Sequence, residues 1–374
     1  MRFLFVVPPL VGHINPTVGV ARELRSRGHR VAWAGDAGLL RSRLDSDARI
    51  YPCGLPADFG QRPADLRGFA ALKYLWERVL TPLAEAMVPG VVDAVAAFRP
   101  DVIVADQQAL AGALVAERLG VTWVTSASTS GEFTDPLAGM PKMRQWQDDQ
   151  LLDLRRRFGN PEASGDLRFS PYLVLAFTTK AMVGGEFDFP VAFVGPAIGP
   201  VHPAGPASDQ PLVFISLGTV NADTSARFLG ECVIALRARP NLRGVIIDPA
   251  ATIHDAPPNV VVKPFVDQLA VLAEASAVVC HGGHNTVCEA LAYGLPLVIA
   301  PIRDDQPVIA EQVKQAGAGV RLRFDRARAE AIGTAIDTVL TDPAYRTAAR
   351  TIQRSFAAAG GAVAAANELI TLAS

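Results

Sequence analysis

The sequence predicts an α/β protein built from two doubly wound, parallel-sheet domains. Two observations predict this fold class. Short apolar runs alternate with amphipathic helical patterns in both halves of the chain, which is typical of parallel strands covered by helices on both faces. Between the halves, the segment GPAIGPVHPAGPASDQP (195–211) is dense in Pro and Gly and indicates a linker.

The elements of the first half follow from these patterns. Helices are expected over 17–27, 69–98 and 109–119, and strands over 3–7, 30–34, 102–105, 121–125, 172–177 and 191–194. Gly28 and Gly120 end two of the helices. Residues 126–170 are polar and rich in turn-forming residues, so we expect a long mobile lid there.

The second half repeats the alternation. Strands are expected over 213–216, 244–247, 260–262, 277–280 and 296–300, and helices over 224–236, 325–340, 344–358 and 362–372. The domains therefore span 1–200 and 212–374 with a linker over 201–211, and the last helix is a candidate to pack back on the first domain. Because ligands bind beyond the carboxyl ends of parallel strands, we expect a cleft where the domains face each other.

Composition narrows the class of protein. The 374 residues are 50% hydrophobic and 19% charged, which fits folded domains and argues against disorder. A net charge of −2 argues against a nucleic-acid partner, and four scattered cysteines argue against a disulfide framework. The run MRFLFVVPPLV indicates a first strand rather than a signal peptide, and no apolar run reaches the roughly 18 residues of a membrane span. We expect a soluble, cytoplasmic protein.

Two polar residues follow strands of the first half. His13 lies in VGHINPT before the first helix, where an exposed imidazole titrates near neutral pH. Asp106 ends VIVAD, where a carboxylate can orient and charge a histidine. Both can instead serve as turn or capping residues. Because both follow parallel strands at one sheet edge, we expect them to lie close together.

Two loops of the second half suit a phosphate group. Ser216, Gly218 and Thr219 follow a strand and precede a helix, which fits a phosphate cradle or a plain turn and cap. In HGGHNTVCEA, glycines and His281 precede a helix whose first N–H groups bind anions, and Glu289 lies one turn further on to hold ribose hydroxyls. The fingerprint G-x-G-x-x-G of NAD-dependent oxidoreductases is absent.

A third loop and a metal alternative complete the second half. In PIRDDQP, Asp305 and Gln306 suit the hydroxyls of a polyol, or a helix N-cap before a proline. The residues of HGGHNTVCEA and the strand before it also offer metal ligands. These are Cys280, His281, His284 and Cys288. Their spacing lacks the paired ligands across a longer loop that structural zinc sites show, so we expect no metal.

These segments together resemble one family. HGGHNTVCEA is similar to the donor-binding signature of the nucleotide-sugar-dependent glycosyltransferases that include plant UDP-glycosyltransferases and bacterial antibiotic glycosyltransferases. PIRDDQ is similar to the P-x-x-x-D-Q end of that signature, and VGHINPT to the G-H-x-x-P segment of the family. The resemblance implies two Rossmann-like domains in the GT-B arrangement, with the acceptor on the first domain and the donor on the second.

The resemblance also implies roles for residues. His13 is implied as general base and Asp106 as its partner. The implied donor contacts are Ser216, Gly218, Thr219, Phe265, Val266, Gln268, His281, Gly283, Asn285, Thr286, Glu289, Asp305 and Gln306. Phe265 would stack on the base, and His281 would contact the diphosphate. Asp267 and His284 depart from the residues usual in the family, which leaves the base and the sugar open.

The implied activity is inverting, metal-independent transfer of a sugar from a UDP- or dTDP-sugar to a hydroxyl or other nucleophile of an apolar small molecule, such as a bacterial natural product. The nucleotide-sugar is a co-substrate, so no cofactor is expected, and a homodimer stays open. Candidate acceptor contacts, each equally suited to the core, are Trp76, Phe133, Met140 and Trp146. The alternatives are a nucleotide-sugar epimerase and a non-catalytic nucleotide-binding activator of a partner enzyme.

Overall fold

The chain forms two compact units in a computed structural model. Unit 1 comprises Met1–Phe177, Gly185–Ile198 and Ala359–Ser374, and unit 2 comprises Thr178–Gly184 and Gly199–Ala358. The described residues are all except 61–62, 64–65, 67, 135–136, 138, 200–209 and 219–221. Most of the expected linker, 201–211, therefore lies outside the described residues.

Thirteen strands are found in the described part of the chain. They are β1 (Arg2–Val6), β2 (Arg30–Gly35), β3 (Arg49–Pro52), β4 (Val102–Asp106), β5 (Trp123–Ala127), β6 (Val174–Ala176), β7 (Val191–Phe193), β8 (Leu212–Ser216), β9 (Arg243–Ile247), β10 (Val260–Lys263), β11 (Ala277–Cys280), β12 (Leu297–Ile299) and β13 (Gly319–Arg321). Unit 1 holds a seven-stranded sheet of order β3-β2-β1-β4-β5-β6-β7, and unit 2 a six-stranded sheet of order β10-β9-β8-β11-β12-β13. Every pairing is parallel, so the expected fold class is confirmed.

Helices connect and cover the strands. They are α1 (Val11–Ser26), α2 (Ala37–Arg43), α3 (Gly68–Tyr74), a π-helical segment (Leu75–Leu80), α4 (Thr81–Phe98), α5 (Ala111–Leu119), a 3₁₀ turn (Gly131–Phe133), α6 (Pro141–Phe158), α7 (Lys180–Val183), α8 (Ala222–Arg237), α9 (Gln268–Glu274), α10 (His284–Ala292), α11 (Gln306–Gln315), α12 (Ala329–Thr341), α13 (Pro343–Ala359) and α14 (Gly361–Ala373). In unit 1, α14 packs against α1.

The strand β1 shows why the sheet of unit 1 is covered on both faces. Side chains alternate along a strand, and in β1 both sets are apolar. Phe3 and Phe5 lie in the core cluster that includes α1 and α14, whereas Leu4 and Val6 lie in the cluster that includes α4 and α5. The N-terminal run is therefore a central strand, as its sequence indicates.

The start of α1 differs from the expectation. The amphipathic pattern predicts a helix from residue 17. Pro16, just before it, lacks the N–H that an interior helical position uses. The helix instead begins at Val11 and contains Pro16. His13 consequently lies in the first turn of α1 rather than in a loop before it.

The segment 126–170, where a turn-rich lid is expected, contains more regular structure than its composition indicates. Residues 126–130 are buried at the end of β5 and beyond it, and α6 occupies 18 residues of the segment. Pro141 stands in the first turn of α6, where its missing N–H costs little. Most residues of α6 are polar, and its buried apolar face is limited to a few residues such as Leu151 and Leu154. The periodic pattern that indicates a helix is therefore weak in this segment.

The helical stretch Phe69–Phe98 is long and apolar enough to cross a membrane by length and composition alone. Its α4 portion buries Leu83, Met87 and Val91 in the core of unit 1, beside α5 and the sheet. Core helices of globular domains meet the same length and composition test, so the packing of α4 accounts for its apolar character.

Candidate active site

Three neighbouring strands of unit 1 bring polar side chains to one place. β1 leads into α1 and His13, β4 ends at Asp106, and Ser128 directly follows β5. His13 Nδ1 lies 2.9 Å from Asp106 Oδ1, and the Asp106 side chain is fully buried while that of His13 is 14% exposed. The expected proximity of His13 and Asp106 is therefore observed. A buried carboxylate that accepts from Nδ1–H favours the tautomer in which Nε2 carries the lone pair of a base.

Ser128 is a member of this cluster that the sequence reading missed. Its Oγ lies 2.8 Å from His13 Nδ1 and 2.5 Å from Asp106 Oδ2. The signal that could have found it is its place directly after an apolar strand, which is the same signal that identified Asp106. The strands β4 and β5 are adjacent, with Asp106 in register with Ser126.

Three neighbouring strands of unit 2 likewise carry the candidate donor loops. β8 ends at Ser216 in register with Cys280, the last residue of β11, so the loops after them meet. A Cβ added at Gly218, whose φ of +71° favours glycine, would lie 2.8 Å from His281 Cε1. A Cβ added at Gly283 would lie 2.5 Å from His281 Nε2. The His281 ring is therefore confined between two glycines at the start of α10.

The first turn of α10 presents its backbone N–H groups at this point. Gly283 is the N-cap, and Asn285 and Thr286 are the second and third helical residues. Helix starts bind anions through their backbone N–H groups and the helix dipole. A neutral imidazole beside such a start can add one more hydrogen-bond donor.

The pKa of His281 is lowered to about 4, chiefly by burial. A hydrogen bond to the Ser216 backbone opposes this fall, and the positive charge of Arg303 adds to it. Desolvation disfavours the charged imidazolium, so His281 is neutral near pH 7. A bound diphosphate would act in the opposite direction, because a nearby negative charge favours the imidazolium.

This low pKa makes folding stability depend on pH. Between the ordinary value of 6.5 and about 4, the unfolded chain binds a proton at His281 that the folded chain does not. Above pH 6.5, His281 is neutral in both the folded and the unfolded chain. Relative to that range, the free energy of unfolding falls as the pH drops toward 4, by up to roughly 3 kcal/mol. Urea unfolding from about pH 7 to pH 4.5 should show a steeper fall in the free energy of unfolding for the wild type than for His281→Gln. Parallel curves would contradict this account.

The proposed nucleoside contacts also come together in part. Gln268, the first residue of α9, donates from Nε2 to Glu289 Oε2 on α10. Burial raises the pKa of Glu289, and the Gln268 hydrogen bond opposes this rise. Phe265 is 80% exposed in the loop after β10, and Val266 follows it half-buried. A large exposed aromatic ring at the carboxyl edge of a sheet is available for stacking on a flat ligand.

The loop after β12 completes this edge. Gln306 is buried, and its Oε1 accepts from the backbone N–H groups of Ile302 and Arg303 at 2.8 and 3.0 Å. Asp305 occupies the N-cap position of α11. Gln306 thus holds the backbone of its own loop. Thr219, the remaining donor candidate, lies outside the described residues.

The possible metal ligands do not gather into a site within the part of the chain that the structure describes, where no group of three or more His, Cys, Asp or Glu side chains is placed to hold an ion. Cys280 is fully buried at the end of β11. Cys288 instead lies 3.4 Å from His284 Nε2 within α10.

The four acceptor candidates fall in different environments. Trp76 is 2% exposed in the core of unit 1, so this burial does not support a contact with an acceptor. Phe133 is 9% exposed within a cluster of phenylalanines at the β6–β7 edge. Met140 is 48% exposed at the start of α6, and Trp146 packs edge-to-face with Phe69 at 5.8 Å between ring centroids. The last two, with Phe69, offer apolar surface to a ligand.

Comparisons with known proteins identify relatives of this chain. Residues 225–372 match the family model of the erythromycin biosynthesis protein CIII-like C-terminal domain. The chain is 30% identical to 4'-demethylrebeccamycin synthase of Lentzea aerocolonigenes over 404 aligned positions, covering 96% of both chains.

Solved structures agree as well. The calicheamicin glycosyltransferase CalG4 superposes with a TM-score of 0.83 at 26% identity, covering 99% of this chain and 98% of that one. The spinosyn rhamnosyltransferase SpnG, solved with thymidine diphosphate, superposes with a TM-score of 0.76 at 24% identity, covering 99% and 100%. The two parallel-sheet domains and these relatives show that the chain belongs to the nucleotide-sugar-dependent glycosyltransferases of GT-B fold, which include the bacterial antibiotic glycosyltransferases.

Proposed function

We propose that this glycosyltransferase is an inverting, metal-independent enzyme of the cytoplasm that transfers a sugar from a dTDP- or UDP-sugar to a hydroxyl group of an apolar natural product. The observation that carries the proposal is the contact between His13 Nδ1 and the buried Asp106 carboxylate. This arrangement makes an oriented base on unit 1, where the resemblance to the family implies that the acceptor binds.

The proposed reaction starts at His13. Its neutral Nε2 takes the proton of the acceptor hydroxyl while the oxygen attacks the anomeric carbon of the sugar. The bond from that carbon to the diphosphate oxygen breaks on the opposite face, so the configuration inverts. Asp106 stabilises the imidazolium as it forms. The transition state has the oxocarbenium character known for glycosyl transfer to water.

The leaving diphosphate gains negative charge during this step. In the proposal, the backbone N–H groups at the start of α10 stabilise that charge. His281, which lies between Gly218 and Gly283, stabilises it as well. Donors already aimed at developing charge lower the barrier without a metal ion. Glu289 and Gln268 hold the ribose and nucleoside, Asp305 and Gln306 the sugar, and Phe265 stacks on the base.

The choice of donor and acceptor draws on the relatives. SpnG was solved with thymidine diphosphate and the related SpnG complex with the spinosyn aglycone, although at 24% identity these proteins share only the fold. The exposed Phe265 accepts either pyrimidine, since stacking does not read the base edge. Met140, Trp146 and Phe69 provide the apolar surface proposed for the acceptor.

Nucleotide binding is the first test of the donor site. Thermal unfolding is measured with UDP, dTDP, GDP and NAD at one high concentration, since a ligand present at about 100 times its Kd adds about 2.7 kcal/mol of stability to the native state. We expect a rise in Tm with dTDP or UDP and none with NAD, and the same rise in a His29→Ala control on unit 1. A rise with NAD alone, or with none of the four, would contradict the proposed donor site.

A further inference from the structure

A hydroxyl group joins the two members of the proposed base pair. Ser128 Oγ contacts both His13 Nδ1 and Asp106 Oδ2, while His13 Nδ1 also contacts Asp106 Oδ1. The three side chains therefore close a triangle of hydrogen bonds with distances of 2.8, 2.5 and 2.9 Å. Ser128 is 3% exposed, so solvent has little access to these contacts.

The chemistry of the three groups sets the direction of each hydrogen bond. A carboxylate has no hydrogen to donate, so Ser128 donates its hydroxyl hydrogen to Asp106. Ser128 Oγ is then an acceptor toward His13, and His13 Nδ1 carries the hydrogen in both of its contacts. Nε2 keeps the lone pair that a general base requires.

We propose that Ser128 is a positioning residue for the His13 general base. It holds Asp106 Oδ2, while the backbone N–H of Gln108 donates to Oδ1 at 2.9 Å, so both carboxylate oxygens are fixed. It also gives the imidazole a second acceptor, which restrains the ring and stabilises its protonated form. This inference rests on the proposed role of His13 and extends it.

The local backbone keeps Ser128 in place. The residue follows β5 directly, and Gly131 N donates to Thr129 Oγ1 at 3.1 Å just beyond it. Phe133 N donates to the Ser130 carbonyl at 3.1 Å, which closes the 3₁₀ turn. A hydroxyl on a segment fixed at both ends can orient its neighbours at little entropic cost.

Two variants of equal shape separate the hydroxyl from its packing. Ser128→Thr keeps the hydroxyl and Ser128→Val replaces it with a methyl group, and both add the same bulk. With 4-methylumbelliferone as acceptor and dTDP-glucose or UDP-glucose as donor, we expect Ser128→Val to lower kcat about 10- to 100-fold with KM nearly unchanged. Ser128→Thr should retain kcat within about threefold of the wild type. Equal losses in the two variants would overturn the proposal.

A double-mutant cycle tests whether Ser128 acts through His13. In a His13→Ala background, Ser128→Val should leave the residual rate unchanged, whereas a general structural role would lower it again by the same factor. Full turnover in His13→Ala alone would defeat the proposed function. Loss in His13→Ala with equal rates for the Thr and Val variants would defeat only the role of Ser128.

Nuclear magnetic resonance tests the contact without any substrate. In protein labelled with ¹⁵N-histidine, the Nδ1–H signal of His13 is assigned by its loss in His13→Ala. The signal should stay near its wild-type position in Ser128→Thr and shift in Ser128→Val, because the ring loses one acceptor. Identical His13 signals in the Thr and Val variants would overturn the proposal even if neither coumarin nor glucose donor is accepted.

Discussion

Replacing His13 with alanine is expected to lower kcat about 10²- to 10⁴-fold, the usual contribution of general acid–base catalysis. The reason is that no other group is proposed to take the acceptor proton. The affinity for dTDP or UDP should stay unchanged, because His13 belongs to unit 1 and the proposed nucleotide contacts belong to unit 2. Steady-state kinetics and isothermal titration of the same preparations measure both quantities.

The matched control for this variant is His29→Ala. His29 is another histidine of unit 1, and its Nδ1 faces the N-terminal amino group at 3.3 Å, away from Asp106. Turnover of His29→Ala should equal that of the wild type. Unchanged turnover in His13→Ala would remove the residue from the mechanism.

Replacing Gly283 with alanine is expected to weaken binding of dTDP or UDP about 10- to 100-fold. The added Cβ would lie 2.5 Å from His281 Nε2, and the ring cannot yield easily because Gly218 confines its other side. Overpacking of this kind costs about 1–3 kcal/mol, and 1.4 kcal/mol corresponds to a tenfold change in Kd. Displacement of His281 and obstruction of the first turn of α10 act in the same direction.

Gly230→Ala serves as the control for that variant. Gly230 lies within α8 of unit 2, and a Cβ added there meets no atom within 4 Å. Alanine is favoured over glycine inside a helix by about 0.5–1 kcal/mol, so Tm should rise slightly while nucleotide affinity stays constant. Equal nucleotide affinity in Gly283→Ala and Gly230→Ala would contradict the proposed diphosphate site.

The fold could be predicted because most of its strands coincide with short apolar runs in the sequence. A strand buried on both faces needs apolar residues along most of its length, as over residues 3–6 of β1 and 102–105 of β4, and such runs stand out between helical patterns. The polar helix α6 could not be predicted in this way, because its inward face is short and its outer face resembles a loop. The helix α1 begins at Val11, earlier than its pattern predicts, and its first turns bury Ile14 and Pro16. Tertiary packing of this kind can override the local preference against proline inside a helix.

The candidate site could be predicted where chain position determines it. Residues that follow neighbouring parallel strands meet at one edge, which brought His13 and Asp106 together as expected. Position after β5 makes Ser128 a candidate, but several polar residues end or follow that strand. Which of them contacts His13 depends on side-chain direction, which the sequence does not give. Burial is equally hidden, so the low pKa of His281 and the core position of Trp76 emerge only from three dimensions.

The anomeric configuration of the product tests whether the enzyme inverts the sugar with His13 as its general base. The enzyme is incubated with α-linked dTDP-glucose or UDP-glucose and a panel of apolar phenols and alcohols, with EDTA present, and the product is examined by proton NMR. Because inversion of an α-linked donor gives a β-linked product, we expect a β-linked glucoside whose formation is lost in His13→Ala. An α-linked glucoside, or a β-linked product formed equally fast by His13→Ala, would contradict it.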